Sequence, residues 1–168
     1  MARDNKRFKG KREKPEFEQK LLDLARVTRV VKGGRRFRFR ATLVIGNRRG
    51  KVGVGVGKGG DVSDAIKKAY DDARKHMINV SIVDNTIAHD VFHKKGSAKI
   101  MLKPAPKGRG VVAGGAVRAV VELSGIKDIV SKSLGTSNKI NVARAAAEAL
   151  ELLNYSRPRK AKENIAKV

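Results

Sequence analysis

The chain has 168 residues, which is enough for one ordinary domain or two small ones. Its 39 lysines and arginines outnumber 16 acidic residues, and the net charge of +23 predicts an anionic partner, either nucleic acid or an anionic membrane surface. No apolar run approaches the roughly 20 residues of a membrane span, and the lack of cysteine excludes a disulfide framework and a thiolate zinc site.

Both ends of the chain are basic and lack hydrophobic periodicity. Residues 1–15 predict a basic arm without the apolar region of a secretory signal, and residues 158–168 predict a basic tail. RNA contact by the arm is favoured over a solubilising tail that contacts nothing. Between them we expect two domains, at residues 16–79 and 80–157.

The first half predicts a helix, three antiparallel strands and a second helix. The apolar spacing of 16–25 indicates an amphipathic helix. Strands at 26–32 and 35–45 are joined by a tight turn at Gly33 and Gly34, and a third strand starts at Lys51. Asp61 is a good N-cap for the helix that follows.

The second half predicts a further α+β unit. Strands are expected at 79–85, 86–93, 98–102 and 126–134, with a Pro/Gly-rich loop at 103–110. A helix over 114–123 ends at Gly125, and residues 136–138 cap a last helix with an alanine- and leucine-rich stripe.

The segment KVGVGVGKGGD, residues 51–61, has glycine at every second position and then a glycine pair. From Gly55 it fits the dinucleotide fingerprint G-x-G-x-x-G, but the strand is too poor in apolar residues for a parallel sheet. A P-loop would need Ser or Thr directly after Lys58. We therefore predict a sheet strand whose glycines Gly53, Gly55 and Gly57 lie on the arginine side and leave room for a nucleic-acid backbone.

The segment from Arg26 to Lys58 contains eleven lysines and arginines and no acid. Low aromatic content, 4% with no tryptophan, argues against stacking of single-stranded bases and for backbone recognition of a duplex-like RNA. The alternative is a solvated basic face. The predicted RNA-binding residues are Arg26, Arg29, Lys32, Gly33, Gly34, Arg35, Arg36, Arg38, Arg40, Arg48, Arg49, Lys51, Gly53, Gly55, Gly57 and Lys58.

No catalytic or metal site is predicted. His89 and His93 would lie about 13 Å apart along a strand, too far for one ion. Ser, His and Asp are present, but no sequence motif arranges them for nucleophilic catalysis.

Several separated segments together resemble a known family. VVKGGRRFRF, GKVGVGVGKG, a helix ending in MINV, PAPKGRGVVAGGAVRAVVELSGI and SLGTSNKINVARA, which span about Leu21 to Leu153, resemble the bacterial-type small-subunit (30S) ribosomal protein number five, the S-five family. The resemblance implies an α+β protein, with an N-terminal double-stranded-RNA-binding-like domain (αβββα) and a small C-terminal domain of the family's domain-two-like type.

The resemblance also implies the function and the partners. The family is not enzymatic and needs no cofactor; it is cytoplasmic, binds small-subunit ribosomal RNA, contacts ribosomal proteins four and eight, and lies near the messenger-RNA entry channel. It contributes to subunit assembly and translational accuracy. No membrane and no second copy of the chain is expected as a partner.

Two loops acquire expected roles from the family. The loop at 28–35 would approach the ribosomal-RNA helix where spectinomycin binds. The loop at 103–115 would lie towards protein four. Its predicted interface residues are Lys103, Lys107, Arg109, Gly110, Gly114, Gly115 and Arg118.

The sequence departs from the family in two places. Aromatic residues are frequent in the family where this chain has Val54 and Val56, and the loop often carries an acid where Lys107 and Arg109 make it basic. The second departure leaves open whether this loop meets protein four or RNA.

Overall fold

The structure, a computed structural model, describes residues 16–155; the two basic arms predicted at 1–15 and 158–168 lie outside the described residues. The described chain forms two four-stranded sheets and three helices. The strands are β1 Glu18–Val31, β2 Gly34–Gly46, β3 Lys51–Gly59, β4 Met77–Asn79, β5 Val91–Lys95, β6 Ala98–Pro104, β7 Val111–Val112 and β8 Ile129–Gly135. The helices are α1 Val62–Lys75, α2 Gly115–Ser124 and α3 Lys139–Tyr155. The predicted α+β class with two units is confirmed.

The helix predicted at residues 16–25 is wrong, because this segment is the first part of strand β1. Leu21 lies opposite Leu43 and Leu24 lies opposite Ala41, with a bulge between Leu21 and Asp23. The bulge inserts one residue, so two side chains on the same face are three positions apart instead of two. Three-residue apolar spacing is typical of a helix, which is why the pattern misled.

The first sheet has the strand order β1-β2-β3-β4, with each pair antiparallel. One of its faces packs on helix α1. In this contact Ala41, Leu43 and Ile45 of β2 pack on the alanine stripe of α1, which consists of Ala65, Ala69 and Ala73. All six side chains are buried. The predicted third strand and second helix are therefore confirmed, and the N-terminal unit reads βββα followed by the short strand β4.

The second sheet has the order β5-β6-β8-β7 and is antiparallel except for the pair of β7 and β8. Helices α2 and α3 pack on one face through buried residues such as Ile100, Leu102, Val120 and Leu150. The predicted hairpin and both helices are confirmed. Strand β7 was not predicted, since two residues carry no periodicity. The strand expected at 79–85 is limited to its first residue, Asn79, which ends β4.

The two halves share a core and backbone hydrogen bonds. Val44, Val52 and Val54, on the face of the first sheet opposite α1, belong to the same buried cluster as α2 and α3. The β2–β3 loop donates to the end of α2, from the Arg48 N–H to the Leu123 carbonyl at 3.0 Å and from the Gly50 N–H to the Ser124 carbonyl at 2.8 Å. The end of the first sheet near the β2–β3 loop is thus covered on both faces.

Helix ends follow local chemistry. Helix α1 begins directly after Asp61, whose carboxylate accepts a hydrogen bond from the Ser63 hydroxyl at 2.7 Å. This hydrogen bond holds the pKa of Asp61 below its ordinary value. Helix α2 ends at Gly125, which has φ 98°, and α3 begins after Asn138, whose side chain accepts from the Ile140 N–H at 3.2 Å. These positions match the predicted caps.

Candidate nucleic-acid interface

The alternating glycines of β3 face helix α1 and not the arginines. Gly53, Gly55 and Gly57 are buried and lie opposite side chains of the apolar face of β2, namely Ile45, Leu43 and Ala41. The prediction that they lie on the arginine side and admit a nucleic-acid backbone is therefore wrong. Val52 and Val54, which alternate with them, point to the opposite face and pack in the core of the second half of the chain.

The glycines allow α1 to approach the sheet closely. A Cβ atom on Gly53, Gly55 or Gly57 would overlap the backbone of the helix, at the carbonyl oxygens of Ala73, Ala69 and Ala65 in turn. A two-residue step along a strand is about 6.6 Å, and a four-residue step along a helix is about 6.0 Å. The glycine row and the alanine row therefore stay in register over three contacts.

The same packing excludes the dinucleotide interpretation. The space in front of Gly55 and Gly57, the first two glycines of the fingerprint, is filled by helix backbone, so no pyrophosphate can approach there. Strand β3 is antiparallel to both of its neighbours, whereas a Rossmann unit needs parallel strands. The sequence-based rejection of a dinucleotide site is confirmed. The close packing of α1 and the antiparallel strands are stronger reasons than the low apolar content of the strand.

The basic residues are concentrated on a hairpin that extends beyond the rest of the sheet. Strand β2 pairs with β3 only from Phe39 to Gly46, so Gly34 to Arg38 pair with β1 alone. Gly33 and Gly34 form the exposed tip with Lys32. Both faces of this ribbon are open to a partner.

One face of the hairpin forms a concave basic surface, which we call the hairpin cleft. Arg29 lies opposite Arg36, and Val27 lies opposite Arg38. Together with Val31 and Lys58 they line a cavity of about 420 Å³. Within residues 16–155 none of these cations forms an ion pair. Four unpaired cations around one cavity repel each other, and a bound anion would relieve this.

Arg40 lies at the base of the hairpin cleft, opposite Lys58. It is half-buried, and its Nε is buried without a hydrogen-bond partner among the described residues. Arg36, Arg38 and Arg40 are alternate residues of β2, so they lie on one face of the sheet.

The opposite face of the hairpin carries a stacked pair. The Arg26 guanidinium lies 3.6 Å from the centroid of the Phe37 ring, a cation–π contact that fixes the direction of a long side chain. Phe37 shares a face of β2 with Ala41 and Leu43, but it lies outside the part of β2 that pairs with β3 and is 45% exposed. Arg35 is exposed on this same face, opposite Val30.

The remaining predicted residues of the first half form a separate group. Arg48, Arg49 and Lys51 lie in and after the β2–β3 loop, at the other end of β2 from the hairpin tip. A strand of this length spans about 40 Å. Arg48 is paired with Glu18 at 2.7 Å, so its charge is already compensated. The structure therefore divides the predicted RNA-binding set into two groups and does not bring them together.

The loop at 103–115 is held by a buried carboxylate that the sequence did not reveal. The Oδ1 atom of Asp128 accepts hydrogen bonds from the N–H groups of Gly108 at 3.1 Å and Gly110 at 2.8 Å. Asp128 is 6% exposed, while Lys107 and Arg109 project from the loop into solvent. The carboxylate is about twenty residues away along the chain, so no local pattern could identify it.

The other predicted residues of this loop lie around the start of α2. Gly114 is the N-cap and Gly115 the first residue of the helix. A Cβ on either glycine would meet open space. Arg118 is exposed one turn later, and Lys103 lies in β6. These groups surround the loop without forming a closed pocket.

An Asp128→Ala variant should loosen this loop. Two N–H donors would lose a charged acceptor, and because Gly108 is exposed and Gly110 half-buried, water replaces part of this and the cost is about 1.5 kcal/mol. We expect amide exchange at Gly108 and Gly110 to become about tenfold faster, as measured by hydrogen exchange with NMR detection. Asp71→Ala, an exposed carboxylate on α1, is the control, and equal protection in both variants would contradict the assigned role.

His93, one of the two histidines considered as metal ligands, contacts a carboxylate of α3. The His93 Nε2 lies 3.2 Å from Glu148 on α3, and Lys95 pairs with the same carboxylate. Partial burial would raise the pKa of Glu148, but the hydrogen bonds from Lys95 and His93 outweigh it and lower this pKa. Within residues 16–155 no group of three or more potential ligands could hold a metal ion.

None of the helices within residues 16–155 combines the length and the apolar character needed to cross a membrane. Of the two anionic partners that the net charge allowed, the hairpin geometry favours nucleic acid. A projecting ribbon with cations on both faces can bring several positive charges to the phosphates of one nucleic acid.

Comparison with known proteins gives matches over both halves. The family model described as ribosomal protein S5, N-terminal domain, matches residues 17–81, and that described as ribosomal protein S5, C-terminal domain, matches residues 93–164. Similar proteins are named small ribosomal subunit protein uS5 and come from Campylobacter jejuni strains 81-176, 81116 and RM1221. Each is 56% identical over 138 residues, which cover 82% of this chain and 94% of the relative.

Proposed function

The chain belongs to the ribosomal protein S5 family, and we propose that it is a structural, non-enzymatic protein of the small subunit of the cytoplasmic ribosome. It binds ribosomal RNA there. The observation that carries this proposal is the hairpin cleft, where Arg29, Arg36, Arg38 and Lys58 converge without a carboxylate partner in the described chain. A partner that supplies several phosphates would compensate all four charges at once.

The RNA-binding set in this proposal is centred on the hairpin. Arg26, Lys32, Arg35 and Arg40 flank the cleft or lie on the opposite face of the ribbon. Arg49 and Lys51 form a second contact at the other end of the sheet, and Arg48 contributes less because Glu18 pairs with it. Gly53, Gly55 and Gly57 are removed from the set, since helix α1 covers them.

The finer assignments rest on the family resemblance. The loop at 28–35 matches a family segment that approaches the ribosomal-RNA helix where spectinomycin binds, and that at 103–115 matches one that lies towards protein four. The family as a whole lies near the messenger-RNA entry channel. On this basis we assign the chain to subunit assembly and translational accuracy, with proteins four and eight as neighbours. The basic character of Lys107 and Arg109 supports RNA as an additional contact of the second loop.

The domain division proposed is 16–79 and 80–157, flanked by the two basic arms. The family matches begin and end close to this boundary, at residues 81 and 93. The two domains form one body, because Val44, Val52 and Val54 of the first belong to the core of the second.

Sedimentation tests the proposed function directly. An epitope-tagged copy of the chain, expressed in its own host, is separated on a sucrose gradient. We expect it to sediment with small subunits and to shift to the top of the gradient after ribonuclease treatment. A predominantly free pool, absent from small subunits, would instead indicate a free-standing binder of double-stranded RNA.

A further inference from the structure

In the part of the chain that the structure describes, the outer face of the second sheet is largely exposed. Helices α2 and α3 pack on its inner face, and the strand register determines which residues point outward. Lys94 lies opposite Lys99, and Phe92 lies opposite Met101, which in turn lies opposite Lys132. We call this surface the outer sheet face. Its members are Phe92, Lys94, Lys99, Met101, Lys103, Val112, Val130, Lys132 and Leu134.

The charge on the outer sheet face has one sign. Its four lysines are exposed, and within residues 16–155 none of them forms an ion pair. Lys94 and Lys99 are directly opposite each other, an arrangement that destabilises a sheet unless an anion lies between them. The strand positions on this face include no acid, and Asp90 precedes β5.

The face is also unusually apolar for a solvated surface. Phe92 is 61% exposed, Val112 47% and Leu134 42%, and Met101 lies between Phe92 and Lys132. Contiguous exposed apolar side chains that are flanked by charge mark interaction surfaces. Phe92 presents an aromatic ring that no residue of the described chain is shown to cover.

We propose that the outer sheet face binds a single-stranded segment of RNA, with one unpaired base stacked on Phe92 and phosphates at the lysines. The lysines lie on three adjacent strands, about 5 Å apart across the sheet and about 7 Å apart for alternate positions along it. An open sheet with helices behind it is an arrangement on which unpaired bases stack. With one aromatic residue, phosphate contacts supply most of the affinity.

RNA fits better than an acidic protein segment. A protein partner would have to bring carboxylates to four lysines on three strands, whereas a nucleic-acid strand carries one charge per nucleotide. This inference deepens the proposed function and rests on its RNA, but uses a surface on a different sheet from the hairpin cleft. It also restricts the expectation, drawn from low aromatic content, that the whole chain recognises only duplex-like RNA.

Binding by the full chain to a labelled ten-nucleotide oligouridine, measured by fluorescence anisotropy, tests the proposal. All variants carry Arg36→Gln and Arg38→Gln, so that binding by the hairpin cleft does not mask the second surface. The test variant adds Lys94→Gln, Lys99→Gln and Lys132→Gln. Its matched control adds Lys67→Gln, Lys68→Gln and Lys75→Gln on the exposed side of α1, and removes the same charge.

We expect the test variant to bind at least fivefold more weakly than the control. Its log–log salt dependence should be flatter by about 2 units, at roughly 0.7 per phosphate contact for a single strand. A separate Phe92→Leu variant should lose about fivefold or more in oligouridine affinity and none for a duplex. Because all the substituted side chains are exposed, the melting temperature should not fall in any variant, and removing the opposed charges of Lys94 and Lys99 relieves repulsion.

Equal losses of oligouridine affinity in the test variant and the control would overturn the proposal. So would a Phe92→Leu variant that binds oligouridine as tightly as its parent with Phe92. A diazirine-bearing amino acid at position 92 in purified small subunits distinguishes the partners. We expect a crosslink to RNA. A crosslink to protein alone would mean that the outer sheet face binds a neighbouring protein and not RNA. The anisotropy experiment uses the isolated chain, so its outcome is independent of whether the chain sediments with ribosomes.

Discussion

A Gly55→Ala variant should lose about 3 kcal/mol or more of folding free energy, because the added methyl group has no space. Its Cβ would overlap the backbone at Ala69 and Ala73 and lie 2.8 Å from the Ala73 Cα. Backbone atoms cannot rotate away as a side chain can, so α1 would have to move off the sheet. A fall of about 10 °C in melting temperature follows for a chain of this size, measured by far-ultraviolet circular dichroism.

Gly60→Ala is the matched control in the same glycine-rich segment. A Cβ on Gly60 meets nothing within 4 Å, so we expect a change within about 1 kcal/mol, of either sign. If Gly55→Ala kept the wild-type melting temperature but lost RNA affinity, the glycines would have to contact RNA after all. The packing against α1 would then be wrong.

Replacing Arg36, Arg38 and Arg40 with glutamine should flatten the salt dependence of RNA affinity by up to about 2 units in a log–log plot. Each arginine that meets a phosphate releases counterions on binding, and this release sets the slope. Arg36 and Arg38 line the hairpin cleft, and Arg40 lies at its base. Filter binding or anisotropy with a structured fragment of small-subunit ribosomal RNA, at four or more salt concentrations, measures the slope.

The variant Lys67→Gln, Lys68→Gln, Lys75→Gln removes the same charge from α1 and should leave the slope nearly unchanged. Glutamine keeps much of the length of arginine, so the hairpin should remain folded, and circular dichroism checks this. Identical slopes for the arginine variant and the wild type would mean that the face is merely solvated. That outcome would support the alternative stated for the segment from Arg26 to Lys58, namely a basic face that contacts only solvent.

Signals carried by a few adjacent residues were read correctly from the sequence. Asp61 starts α1, Gly125 in the left-handed conformation ends α2, and Gly33 with Gly34 turns the hairpin. Each depends on backbone chemistry within one turn of chain. The first helix failed because one extra residue at a bulge gave a strand the apolar spacing of a helix.

Features that depend on strand register could not be read from one strand. The direction of Gly53, Gly55 and Gly57 depends on their pairing with β2, and a shift of one residue would reverse it. The candidate site was partly predictable, since the acid-free run identified the cations of the hairpin. Their separation from Arg49 and Lys51, and the alignment of Lys94 with Lys99, appear only when the strands are paired.

The valine face of the first sheet has a consequence for the order in which the protein folds during its synthesis. When the chain has been made as far as Asn79, all four strands of the first sheet and α1 exist, yet the buried residues of α2 and α3 that share a core with Val44, Val52 and Val54 are still missing. Their partners in α2 follow only after Gly115. A nascent N-terminal half therefore presents an apolar sheet face until α2 has emerged. The shared core is complete only when both halves are present, which couples the two sheets in folding.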